Sequence, residues 1–391
     1  MRPDAAQADR RREVREAARG WRRASAIDDA TQAAIVEAYP DDRVRLGPAF
    51  RGLAFVFTGL ALNAVFFFAM AVFRPNDAAV VGSLAIVFGV LLCGLTEVQV
   101  GAWRRADGGT EAATALVGLG YVLIGAACLT LDARLSQRAV QSWLFGLATV
   151  VFAAAAWRWG MRACAALAGV SFFLLLAQGP RPRLLWIAAA LPAIPTLLRL
   201  SEHPGWPPAH RRSGEAVLGL ALVALYTAFH LGSWDAGLVE SFTQGGHRLR
   251  QSPLRPAAIL GTALIPPVAA AFGAITRRRL FLDLGLAFGI ASLITLRFYV
   301  HLAPLWVVLT LGGGAAIAAA LALRRFLASG AGGERRGLTA DPLFEDPARH
   351  RALEMAAAMA AGPAARAPAA TDRSLAPGGG RFGGGGASGE Y

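Results

Sequence analysis

The sequence predicts an all-α fold, a polytopic bundle of about ten transmembrane helices, and three observations carry that prediction. Over 391 residues, 55% are hydrophobic and only 17% charged, with a mean hydropathy of +0.45, a balance that is rare in a water-soluble domain of this size. The apolar residues come in unbroken blocks of roughly 17–25, the length a helix needs to cross a hydrocarbon core of about 30 Å. Runs such as Phe66, Phe67, Phe68 and Leu174, Leu175, Leu176 do not alternate, which excludes the period-two pattern of a membrane barrel. Lipid offers no partner to free backbone N–H and C=O groups, so each block closes its hydrogen bonds internally as a helix.

Residues 1–48 read as a cytosolic helical head. Asp4 to Arg23 is a charged stretch of helix formers, and Ile27 to Tyr39 is a short amphipathic candidate. In the second piece Asp28 supplies an N-cap, Ala33, Ile35, Val36 and Ala38 an apolar side, and Pro40 the stop. Neither stretch has the apolar core of a cleavable signal, so insertion is expected to begin with the first span.

The membrane region is expected over 49–326, with spans at 49–73, 78–99, 111–131, 141–157, 160–178, 183–199, 214–234, 256–275, 280–299 and 303–323. The blocks within 141–199 are short and tightly connected; a re-entrant hairpin there would leave eight spans instead of ten. Tryptophans 103, 143, 157, 159, 186, 206, 234 and 306 fall near the proposed ends, as an interfacial aromatic belt requires.

Beyond the membrane region, 327–362 reads as a cytosolic segment with a short helix over Asp346 to Ala361. Residues 363–391 form a disordered Pro/Ala/Gly-rich tail ending GGGRFGGGGASGEY, too glycine-rich to bury a core.

The formal charge is +13 and every basic residue is arginine. The majority, including Arg51, Arg104, Arg105, Arg158, Arg211, Arg212, Arg278 and Arg325, fall on one side of the predicted bundle. Arg74, Arg138, Arg181, Arg183 and Arg297 fall on the other. The positive-inside effect accounts for this without a nucleic-acid partner and places both termini in the cytoplasm, in a cell inner membrane. Anionic lipid headgroups are the remaining partner for these arginines.

Two stretches resemble known families. Trp21 followed by AIDDATQAAIVEAY and then RLGPAFRGLAFVFTGLALNAVFFF, with GTEAATALVGLGYVLIGAAC at 109–128, resembles the DUF2157 family of bacterial membrane proteins, in which a short cytosolic helical segment precedes a multi-span domain. The likeness covers about a fifth of the chain, all in its first third. The terminal FGGGGASGEY is similar to the Gly-rich tails of TPM-domain membrane proteins, although no TPM domain is visible. Neither resemblance implies an activity or a set of functional residues.

Without lysine a GxxxxGK[ST] phosphate loop cannot form, and no HExxH or GxSxG occurs. Cys93, Cys128 and Cys164 lie in apolar blocks without CxxC spacing, and the six histidines are scattered. Neither set has metal-ligand spacing. No catalytic residue, metal site or cofactor is therefore expected, and the protein reads as a non-enzyme.

The informative positions are ionisable groups within spans, which are costly in lipid and so mark function or pairing. Glu97 lies in the last turn of the second span, His230 in the body of the seventh, Asp283 one turn into the ninth and Arg297 at its end. Asp283 has Arg279 at i−4 as a partner; Glu97 and His230 have none nearby in sequence. Pro192 with Pro195, and Pro266 with Pro267, interrupt the sixth and eighth spans, and each frees a backbone carbonyl. Gly285 and Gly289 allow close helix contact.

Two functions follow. One is a scaffold that binds protein partners through its cytosolic ends. The alternative is a secondary transporter or channel-like protein, its small-molecule or ion substrate unspecified, in which the proline breaks of the sixth and eighth spans and Glu97 or His230 converge on a water-accessible pocket near the midplane.

Overall fold

The computed structural model describes residues 3–23, 26–41, 43, 46–105, 107–131, 136–203, 205–235, 255–300, 305–329, 334–335 and 338–339. It divides into two units, Met1–Leu309 and Thr310–Tyr391. The head forms α1 (Pro3–Arg23) and α2 (Asp29–Ala38). Then come α3 (Pro48–Phe73), α4 (Ala78–Gly101), α5 (Thr110–Leu129), α6 (Gln137–Trp159), α7 (Arg162–Ala177), α8 (Pro182–Glu202), α9 (Pro208–Phe229) and the one-turn α10 (Leu231–Asp235). The last helices are α11 (Arg255–Thr276), α12 (Arg279–Val300) and α13 (Leu305–Ala328). In the second unit a two-residue pair, β1 (Glu334–Arg335) and β2 (Leu338–Thr339), runs antiparallel with Glu334 opposite Thr339.

The described residues are almost all helical, and among them seven helices, α3, α4, α5, α6, α8, α9 and α11, are long and apolar enough to cross a membrane. Each predicted span has a helix at its place. The short segment among them is α7, whose 16 residues reach about 24 Å. The blocks within 141–199 form three separate helices, α6 to α8, joined by tight turns. Gly160 closes α6 in the left-handed conformation at φ 70, where a Cβ would be strained.

Helix ends follow local chemistry. Asp28 accepts from Thr31 N–H at 2.9 Å and Asp77 from Ala79 N–H at 2.8 Å, satisfying first-turn donors. Proline opens α3, α8 and α9, where its missing N–H costs nothing. That is why α9 begins at Pro208, six residues before the predicted span. Its first turns carry His210, Arg211, Arg212 and Glu215, which hydropathy reads as loop.

Within the first unit, antiparallel hairpins α4/α5, α6/α7, α8/α9 and α11/α12 pack side by side, with α9 also against α7, α11 and α12. Phe66, Ala85, Leu92 and Tyr121 join α3, α4 and α5. Cys164, Ala165 and Ala168 of α7 pack on Phe152 and Ala155 of α6, and Leu218, Leu222 and Tyr226 of α9 pack on Phe281 and Phe288 of α12. At α4/α5 the backbones nearly touch: a Cβ on Gly82 would lie 2.8 Å from Gly125 O, and one on Gly118 3.0 Å from Gly89 O. Without a hydrophobic drive between helices in lipid, such small-residue contact supplies the packing. Gly285 does the same against Ala270 of α11, as expected, whereas Gly289 faces only Pro266 at 3.9 Å.

No residue of α2 is buried; Ala33 and Ala38 are exposed and Ile35 and Val36 only half-buried, and α2 touches little besides α1. Two expectations are corrected. Trp186 and Trp234 are not belt residues. Both are buried, and their indole N–H groups donate to Phe173 O at 2.7 Å and Ala228 O at 2.9 Å. Arg183 is likewise buried, not at a lipid rim. The helix expected over Asp346–Ala361, the Gly-rich tail and the side chain of Arg297 lie outside the described residues.

Candidate functional site

Two polar clusters of the first unit lie at opposite ends of α9. The first is built on the end of α9. His230 caps that helix with φ −69 and ψ 123, its N–H donating to Tyr226 O at 2.8 Å. It therefore terminates the span and does not lie in its body, as the sequence reading had it. The ring Nδ1 accepts from Ser233 N–H at 3.3 Å, so in the neutral ring Nε2 carries the proton. Nε2–H then donates to Thr295 Oγ1 at 2.8 Å, and Thr295 passes its own proton to Ala291 O at 2.8 Å.

Arg183 reaches the same elbow from α8. Only 3% exposed, it donates to Thr227 O at 3.1 Å, Ser233 Oγ at 2.9 Å and Ser233 O at 2.8 Å. Its guanidinium lies 4.2 Å from the Trp234 ring centroid. A helix leaves its last carbonyls without intrahelical donors; here a cation supplies them, where the helix dipole favours positive charge. Nothing in local sequence distinguishes this arginine from one that snorkels to headgroups.

Pro266 completes the cluster. In α11 it removes the N–H that Thr262 O would have received, and Ser292 of α12 fills the gap, donating to Thr262 O at 2.6 Å. The Tyr226 hydroxyl, with one proton to give, lies 2.8 Å from Ser292 Oγ and 3.0 Å from Phe288 O. Thr262 Oγ1 accepts Leu231 N–H at 3.0 Å and donates to Ala258 O at 2.8 Å. The helix runs unbroken through both prolines, and beside Pro266 its neighbour replaces the missing donor. Pro266 is buried and Pro267 exposed.

The structure thus joins His230 and Pro266, and adds Arg183, Tyr226, Ser233, Thr262, Ser292 and Thr295, which sequence reasoning missed. Hydroxyls spaced along apolar helices were the signal available. Glu97 is elsewhere: it takes Arg158 in an ion pair and Trp159 Nε1–H at 2.8 Å, both from the end of α6. That end lies beside the start of α9, where Trp157 stacks on His210 at 5.0 Å. Most of the length of α9, 22 residues or about 33 Å, therefore lies between Glu97 and His230. Asp283 is exposed and, among the described residues, makes no ion pair with Arg279. Pro192 and Pro195 face outward from an unbroken α8. Of the proline breaks and the Glu97 or His230 expected to meet in one pocket, the structure brings Pro266 to His230 and leaves Glu97, Pro192 and Pro195 elsewhere.

The second place is the charged rim at the start of α9. There α1 docks through Glu13 to Arg211 at 2.6 Å and Asp9 to Arg212 at 3.5 Å. Arg12 pairs with Asp107 and with Glu16 at 2.5 Å, and Arg10 donates to Gly205 O at 3.3 Å. Asp107 also faces Arg51 at 3.7 Å, in the first turns of α3. A cleft of about 170 Å³ lies between the helices, lined by Asp9, Glu13, Glu16, Arg211, Arg212 and Glu215 among others. Only small side chains of α1, Ala5, Ala8 and Ala18, are buried with Asp9. Among the described residues no three His, Cys, Asp or Glu side chains gather as a metal site.

No family model matches the chain, and neither a curated protein nor a solved structure matches it.

Proposed function

We propose that this chain is a non-enzymatic, multi-pass protein of a cell inner membrane that crosses the bilayer ten times, keeps both termini in the cytoplasm and binds partners through its cytosolic ends. What supports this reading most is the contrast between the two polar regions. The intramembrane groups that a transporter would use are engaged with backbone carbonyls and neighbouring side chains, and they sit at opposite ends of α9. The head, in contrast, folds onto the rim and leaves most of its charge in water. The even count of crossings draws on α7, α12 and α13 in addition to the seven apolar helices, and on the arginine asymmetry. The likeness of the first third to DUF2157 proteins is of the same character.

A crosslinked pull-down from native membranes tests the scaffold. Chains truncated from Gly378, or carrying Asp9→Asn with Glu13→Gln, should recover fewer partners than the full chain; unchanged recovery from both would count against it.

The second reading, a transporter or channel, draws on one observation, the joining of His230 and Pro266 in a buried polar network. It requires proteoliposomes of the full chain to dissipate an imposed proton or cation gradient, and His230→Gln to slow that flux.

A further inference from the structure

The elbow between α9 and α10 is tied to three other helices. Leu231 N–H donates to Thr262 Oγ1 of α11 at 3.0 Å, and Leu231, Trp234 and Ala258 pack together away from water. Arg183 of α8 holds Ser233 by its hydroxyl and its carbonyl. His230 joins the elbow to α12 through Nε2, 2.8 Å from Thr295 Oγ1, and closes the turn itself through Nδ1, which takes the Ser233 N–H at 3.3 Å.

The Nδ1 bond exists only while that nitrogen keeps its lone pair. A second proton on the ring would set Nδ1–H against Ser233 N–H, donor against donor. It would also bring a second positive charge to Ser233, which Arg183 already holds. Among the described residues the ring meets Thr295 from α12 and Tyr226 from α9, whose ring centroid lies 4.9 Å away, and the charge that acts on it is Arg183 from α8. Thr262 is what α11 brings to the elbow. None of these is a carboxylate that would offset an imidazolium. A ring that is neutral in the closed elbow and free to take a proton in an open one draws the elbow open as the pH falls. Histidine changes charge within the range of about pH 5 to 8.

We propose that His230 is a proton-operated latch on the α9–α10 elbow. The neutral ring holds the turn closed, and protonation releases α10 from the end of α9. The latch sits where the chain leaves α9 toward α11, at the end of α9 opposite the docked α1. It requires neither a transported ion nor a bound partner, and so stands apart from both functional readings.

Hydrogen exchange of the full chain in detergent micelles, read by mass spectrometry at about pH 7.5 and about pH 5, tests the latch. Labelling times are scaled to cancel the intrinsic pH dependence of exchange. Exchange over residues 229–235 should rise roughly tenfold at the lower pH and fall again when neutral pH is restored. The α6/α7 hairpin, which holds no histidine or carboxylate over residues 137–177, should not change. His230→Asn keeps an oxygen that accepts the Ser233 N–H but takes no proton, so its elbow should exchange slowly at both pH values. His230→Gln lacks that acceptor and should exchange faster than the wild type at neutral pH, again without a pH response.

Equal exchange of the wild-type elbow at the two pH values would overturn the proposal. So would a rise of wild-type size in both variants, which would assign the response to another group. A rise that spreads to α6/α7, or that does not reverse, would also overturn it, as general acid unfolding.

Discussion

The two ends of α9 solve the problem of polar groups in opposite ways. At the His230 end, Arg183, Ser233, Thr262, Ser292 and Thr295 are buried and give their protons mainly to backbone carbonyls: Arg183 and Ser292 to ones at a helix end and beside a proline, Thr262 and Thr295 to the carbonyl one turn back in their own helix. Removing any one member orphans a group that water cannot reach. At the Arg211 end the bonds join side chains that water also solvates. Each is worth little, and α1 adds only alanines to the attachment. The comparison teaches that burial, more than the number of polar contacts, separates a brace from a releasable contact.

Replacing Arg183 by methionine strikes the brace hardest. It leaves the acceptors at Thr227 and Ser233 unfilled and ends the contact with Trp234, at a cost of about 3 kcal/mol. Thermal unfolding of the purified full chain should show a clear drop, with tryptic cleavage of α1 unchanged; wild-type stability would show that the network is not a brace. Ser292→Ala is milder. It frees the Thr262 carbonyl beside Pro266 at about 1 kcal/mol, and Ser292→Thr should restore most of it.

At the other end, Asp9→Asn with Glu13→Gln should loosen α1 by roughly 0.5 kcal/mol per pair. The rate of tryptic cleavage within α1 should rise a few-fold with no fall in melting temperature, and high salt should do the same to the wild type. A double variant that cleaves no faster would show that α1 is held by something other than these pairs.

The smallest effect lies in the head. Arg22 bonds Asp29 at 2.6 Å, and that bond holds the Asp29 carboxyl below its ordinary 3.8. A depressed carboxyl contributes fully above its unfolded value and loses its contribution as the pH falls through the lower folded value. The contact between α1 and α2 should thus persist at neutral pH and fade below about pH 4. An NMR titration of the Asp29 carboxyl should give a midpoint below 3.8 that Arg22→Gln restores; the same midpoint in both chains would remove the contact.

What was legible in the sequence was what depends on neighbours along the chain. Apolar blocks, with Asp28 and Pro40 for α2, place helix ends within a turn or so, except in α9, whose charged first turns resemble a loop. The polar sites were only partly legible because their partners are distant in sequence. Glu97 meets Arg158 and Trp159 on α6, and the carbonyl freed by Pro266 meets Ser292 on α12. An arginine at the head of an apolar block reads the same whether it snorkels to headgroups or, like Arg183, turns inward. Only the packing of α8 against α9 decides.

The central claim is that the charged rim and the polar brace lie on opposite sides of one membrane, with α1 on the cytoplasmic side. Single cysteines at Gln7 and Asn76, in a chain without native cysteines, report on it through a membrane-impermeant thiol reagent. In intact cells Asn76→Cys should react and Gln7→Cys should not, and inverted vesicles should reverse the pattern. Labelling of both positions from the same side would contradict the account.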